Sequence, residues 1–125
     1  MLMRNFAEAF IAGDQDELRR VLAEDVVFRS PAVFTPYEGI EQVIPVLLAA
    51  REVLADIRYG GSVAQGNQEV FFFNAMLDRR LVEGVDYVVT GEDGRVLELT
   101  VMIRPLSALQ KVVEAMGDVL AKGRR

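Results

Sequence analysis

Any chemistry in this chain has to be built from carboxylates and hydroxyls. Its 125 residues include no histidine and no cysteine. The missing imidazole removes Ser-His-Asp triads, histidine zinc sites and histidine general bases together. No carboxylates fall at a metal-binding spacing, so neither a metal nor another cofactor is expected. One carboxylate stands out. Asp86 opens the stretch DYVVTGEDGRVLELTVMIRP, which reads as two strands joined by a glycine-bracketed turn and runs to Pro105. It alternates with Val88 and Thr90, while Val85, Tyr87 and Val89 take the other face. Neither face is plainly polar, and two readings stay open. Either Asp86 turns into an apolar interior, where desolvation raises its pKa and marks it as an acid or base, or it is satisfied near a sheet edge by backbone or by Arg95.

The remaining polar candidates are weaker. The segment SPAVFTPYE, from Ser30 to Glu38, holds two prolines and reads as an irregular loop exposing Phe34 and Tyr37. Asp78, Arg79 and Arg80 read as a solvated strand end, and Glu38 and Glu41 as a charged helix entry. Arg104 reads as half of a surface ion pair.

Composition narrows the class. A chain of this length is expected to fold as one domain over 1–125, with a core that needs no disulfide or metal. Apolar residues make up 51% of it and the mean hydropathy is +0.20, which predicts apolar surface lining a cavity or a subunit interface. The net charge of −5 and the short basic tail Lys122, Arg124, Arg125 exclude a nucleic-acid partner. No apolar run is long enough to span a membrane. Asn5 and Glu8 interrupt any leader-like pattern, so a cytoplasmic location is expected.

The elements that must position Asp86 follow from periodicity. Leu2, Phe6, Phe10 and Ile11 form a helical stripe opposite Arg4 and Glu8, and Gly13 can close that helix in a left-handed conformation. Asp14, with Glu17 three residues on, starts a second helix buried through Leu18, Val21 and Leu22. Asp25 to Arg29 is a short strand ended by Ser30-Pro31. Ile40 to Leu54 is a third helix, with Pro45 expected to kink it or break its first turn. From residue 56 the period becomes two. Residues 56–65 form a strand with a bulge expected at Gly60-Gly61, and Gln65-Gly66-Asn67 turns the chain. Glu69 to Leu77, with Val70-Phe71-Phe72-Phe73, is expected to be central and covered on both faces. Leu81–Thr90 and Arg95–Arg104 are the final pair. Pro105 opens a last helix striped by Leu106, Leu109, Val112, Val113, Met116 and Leu120. The order α-α-β-α-β-β-β-β-α makes an α+β fold with a mostly antiparallel sheet.

That order resembles the nuclear transport factor 2-like superfamily, and within it the SnoaL-like and ketosteroid isomerase group. The corner Ala12-Gly13-Asp14, the lead Tyr37-Glu38-Gly39 into the third helix and the turn Asp93-Gly94-Arg95-Val96 carry the resemblance. It implies a cone-like curved sheet wrapped around the N-terminal helices, with a pocket between them. The isomerases' oxyanion acid lies eight positions before the turn glycine, where Asp86 stands before Gly94. Their tyrosine, seven before the corner glycine, is here Phe6, and their base, an aspartate before a proline, is here Ser30 before Pro31. Proton abstraction and enolate binding need all three groups, so classical ketosteroid isomerisation is not expected. The limonene epoxide hydrolase pattern loses its second aspartate to Val101, and its Arg-x-Asp falls on Met76 and Asp78. SnoaL-like cyclases use a last-strand carboxylate or histidine; here that face reads Leu97, Leu99, Val101 and Ile103.

The resemblance implies a small-molecule-binding protein whose apolar pocket is lined by Phe6, Phe10, Phe28, Ser30, Phe34, Tyr37, Asp86, Leu99, Val101 and Ile103. Asp86 is the one catalytic candidate, and the expected ligand is a small apolar or amphipathic molecule. Two alternatives stay open: a cyclase, isomerase or dehydratase using Asp86 as acid or base, and a non-catalytic dimerisation module. A homodimer through the outer sheet face is expected in each case.

Overall fold

A computed structural model describes residues 5–123. Leu2, Arg4, Arg124 and Arg125, used in the reading above, lie outside the described residues. The elements run α1 (Phe6–Ala12), α2 (Gln15–Val21), β1 (Leu22–Arg29), β2 (Tyr37–Glu38), α3 (Ile40–Val53), β3 (Arg58–Gln65), β4 (Gln68–Leu77), β5 (Arg80–Thr90), β6 (Val96–Arg104) and α4 (Leu106–Gly123). The order is the expected one with a two-residue strand added. Within the Ser30–Glu38 loop, Tyr37 and Glu38 pair antiparallel with Phe28 and Val27.

The helix starts are built locally. Asn5 accepts a hydrogen bond from the Glu8 N–H while Glu8 reaches back to the Asn5 N–H, a reciprocal cap ahead of α1. Gly13 closes that helix at φ 64°, and Asp14 caps α2 by accepting from Asp16 N–H at 2.8 Å. Pro45 does not break the first turn of α3, which starts on bonds from Gln42 and Val43 to the Gly39 carbonyl and runs unbroken to Val53. Pro45 lies on the exposed side of the helix, so the Glu41 carbonyl it leaves without a donor can turn to water.

The six strands form one curved sheet in the order β2-β1-β6-β5-β4-β3. It is antiparallel except where β1 runs parallel to β6. The register slips between Tyr59 and Gly61, which puts the bulge at the expected glycines. The β4–β5 hairpin turns on Asp78 and Arg79, at φ 51° and 64°, the left-handed pair that a two-residue turn between twisted strands requires.

Helices cover only the concave face. Phe71, Phe73 and Ala75 of β4 are buried, whereas Phe72 and Met76 are 45% and 48% exposed. The expectation that β4 is covered on both sides is therefore corrected: in a single chain one face of it is open. Val82, Gly84, Asp86 and Val88 share the concave face of β5, and Val82, Asp86 and Val88 are buried there. Leu97 departs from the expected face of β6. A slip between Val89 and Thr90 leaves Val96 buried and turns Leu97 outward. The core gathers α1, α2 and α3 inside the curve, with α4 packed against α3 and the sheet. No helix among the described residues is long and apolar enough to cross a membrane.

Candidate functional site

Asp86 lies in mid-strand on β5, with Phe71 of β4 on one side and Val101 of β6 on the other. At 4% exposure it is the one buried polar or charged residue among those described. At the next concave position of β5 stands Gly84, against the Phe73 ring. A Cβ there would meet the Phe73 ring at 2.4 Å and the Met102 carbonyl at 2.5 Å. Gly84 thus leaves space for the Phe73 ring against β5, and Phe73 and Asp86 share the cavity wall.

The partner of Asp86 is Tyr59, on β3 at the bulge, whose phenol donates to Asp86 Oδ2 at 2.6 Å. The Tyr59 ring is fixed by edge contacts to Phe71 and Phe73, with centroids 6.2 and 6.0 Å away. Burial pushes the Asp86 carboxyl up to about 7 and outweighs the bond from Tyr59, which favours the charged form. Burial and the adjacent carboxyl hold the Tyr59 phenol far above its usual range, so it stays a donor. Arg95, the alternative partner, sits beside Asp93 at 3.6 Å.

Asp86 forms part of the wall of a cavity of about 200 Å³. The surrounding wall is almost wholly apolar. Phe6, Phe10, Phe28, Ser30, Tyr37, Val101 and Ile103 line it together with Asp86. Phe34 does not: it is 100% exposed on the loop, while its neighbour Val33 reaches the cavity. Leu99 does not either. One concave position before Val101 and opposite Val88, it is fully buried in the core. Phe73, the α3 residues Val46, Leu47 and Ala50, and the α4 residues Leu109, Val112, Val113, Met116 and Leu120 are also in the wall. The C-terminal helix is therefore as much a part of this site as the N-terminal helices.

Ser30 contributes the second polar group of the loop side. Its Oγ accepts from the N–H groups of Ala32 and Val33 at 3.1 and 3.2 Å, which makes it a turn residue. Arg104 pairs with Glu83 at the protein surface. Asp78 lies 3.9 Å from Lys111 at the hairpin. Among the described residues no three His, Cys, Asp or Glu side chains gather as a metal site would require.

Tyr59 is the site residue that sequence reasoning missed. The bulge that follows it breaks the two-residue alternation, so parity along β3 could not assign its face. The signal available was an aromatic hydroxyl directly before a glycine pair.

Comparison with known proteins gives the frame for this site. Residues 3–103 match the SnoaL-like domain. A steroid delta-isomerase from Pseudomonas aeruginosa is 34% identical, with a TM-score of 0.88 over 94% of this chain and 87% of that one. A protein with a cystatin-like fold from Silicibacter pomeroyi is 26% identical, with a TM-score of 0.85 over 89% and 79% of the two chains. A de novo designed protein with a curved β-sheet, 14% identical, aligns at a TM-score of 0.70 over 86% and 90%, a likeness of fold alone. No curated protein sequence matches. The matched profile spans most of the chain, and the isomerase aligns with nearly all of it: the chain belongs to the SnoaL-like domain family of the nuclear transport factor 2-like superfamily.

Proposed function

We propose that this protein binds a small, mostly apolar molecule in the cavity and fixes its orientation through one hydrogen bond to Asp86. The observation that carries this reading is the state of that carboxyl. It is buried in an apolar wall, Tyr59 takes Oδ2, and among the described residues no group bonds Oδ1. Oδ1 is not a sealed atom and borders the cavity side of a carboxyl whose other oxygen is taken, so a ligand hydroxyl or carbonyl can share a hydrogen bond with it. Apolar walls with one convergent polar group are the usual make-up of a small-molecule site. Native mass spectrometry of protein purified from its own source should find a retained small molecule that is lost in Asp86→Leu. Identical bare masses for both proteins, and no cavity resonance shifted by an added apolar ketone, would contradict the reading.

A second reading, an acid–base enzyme, is favoured by the placement of the Asp86 midpoint near 7, where a carboxyl can both give and take a proton. The steroid delta-isomerase relative points the same way. Against the isomerase reaction itself stands Ser30, which occupies the position of the family's base without a base beside it. In such an enzyme Asp86 would have to move the proton. Turnover abolished by Asp86→Asn while ligand binding persists would favour the enzyme; a ligand bound and never converted favours the binder.

A further inference from the structure

Ser30 has hydrogen-bonding capacity that its turn does not use. A hydroxyl carries one proton and two acceptor sites. The Ser30 Oγ accepts from the Ala32 and Val33 N–H groups at 3.1 and 3.2 Å, which fills both acceptor sites. What remains is the O–H proton, and among the described residues no group accepts it. The turn thereby fixes the polarity of this side chain. Toward anything beyond its own loop, Ser30 can only donate.

The same residue is part of the cavity wall. Other members of that wall differ widely in exposure, from Asp86 at 4% to Val113 at 43% and Val33 at 49%. Asp86 therefore marks the enclosed end, and the loop and α4 mark the open side. Ser30 belongs to the loop that carries Val33, so a ligand whose inner end lies against Asp86 brings its outer end to the Ser30 hydroxyl. One other hydroxyl stands in the wall, that of Tyr37, whose ring is stacked on Phe28 with centroids 5.9 Å apart. No lysine or arginine lines the cavity, so a single O–H donor on this side suits a neutral oxygen rather than an anion.

Resting on the binding reading above, we infer that Ser30 is a second ligand-binding group, which donates its O–H to a neutral acceptor oxygen at the outer end of the ligand. An ether, a hydroxyl or a carbonyl oxygen would serve. The apolar wall between Ser30 and Asp86, with Phe6, Phe10, Val101 and Ile103, takes the hydrocarbon between the two ends. Ser30 selects by the presence of that outer oxygen, which a plain hydrocarbon end lacks.

The test uses the isotope-labelled full chain and α-tetralones carrying, at ring position 5, 6 or 7, either a methoxy group or its oxygen-free isostere, ethyl. Affinities are read by NMR titration of the cavity resonances. At the position that reaches the loop, methoxy should bind about three- to tenfold more tightly than ethyl, the increment of one net hydrogen bond. NOEs should connect those methoxy protons to Ser30 Hβ, a readout that needs no variant. Ser30→Asp keeps an oxygen for the Ala32 and Val33 N–H groups but, ionised, has no proton to give, and it should erase the preference. Ser30→Thr and Tyr37→Phe should both retain it. Methoxy and ethyl equal at all three positions would overturn the Ser30 assignment and leave the binding reading standing. A preference that survives Ser30→Asp, or one lost in Tyr37→Phe, would do the same. Silence of the cavity resonances with every probe would overturn the binding reading and this inference with it.

Discussion

Asp86 and Tyr59 divide the work between cost and placement. A carboxyl raised from 3.8 to about 7 disfavours folding wherever the unfolded chain is already ionised. The penalty grows from near pH 4 to near pH 7 and is then constant, reaching on the order of 4 kcal/mol if the whole shift is expressed. Asp86→Asn keeps the acceptor for Tyr59 and removes the charge. It should raise stability at pH 8 by about 2 kcal/mol or more, with little effect at pH 4.5, as urea unfolding at the two pH values would read. Equal effects at both would contradict the burial argument. Tyr59→Phe removes a bond that favours the charged form, so the Asp86 midpoint should move upward and stability at pH 8 should fall by about 1–3 kcal/mol. A Tyr59 that only packs against Phe71 and Phe73 would leave the midpoint where it was. Strand alternation left both faces open for Asp86; its spacing to Gly94, through the family resemblance, pointed to the interior, where it is buried. Tyr59 was not legible, because the Gly60-Gly61 bulge decouples its side from its neighbours'.

At the level of elements, the loop and the last two strands decide what the cavity is. Alternation along β6 put Leu99, Val101 and Ile103 on one face correctly, yet alternation cannot say how far along a strand a cavity extends. Val101 and Ile103 reach it, and Leu99 is sealed behind. Phe34 shows the same limit in a loop, where no period exists to tell an inward aromatic from an outward one. Gly84 matters more than its lack of motif suggested, since its role appears only when the Phe73 ring is placed over it. Gly84→Ala should cost about 1–3 kcal/mol by overpacking, read by thermal or urea unfolding, and should shift the Phe73 ring resonances. A neutral result there would mean that the ring can move aside, and the cavity would be wider than argued.

For the molecule as a whole, the sheet has one covered face and one bare one. Phe72, Val85 and Met102 line up in register across β4, β5 and β6 on the outer face, with Met76 paired to Leu81 farther along. Apolar rows of this kind on a soluble surface usually meet a partner, and a second copy of the chain is the occupant we expect. Sedimentation should report a dimer at tens of micromolar that Phe72→Glu dissociates without unfolding; a parent monomer under those conditions would remove the expectation. The whole account turns on one group, however, and its most direct test is the carboxyl ¹³C titration of Asp86 in the intact protein. The account predicts a midpoint near 7, rising further when an apolar ketone is bound in the cavity. A midpoint at or below the reference value of about 3.9, unmoved by the ketone, would contradict it.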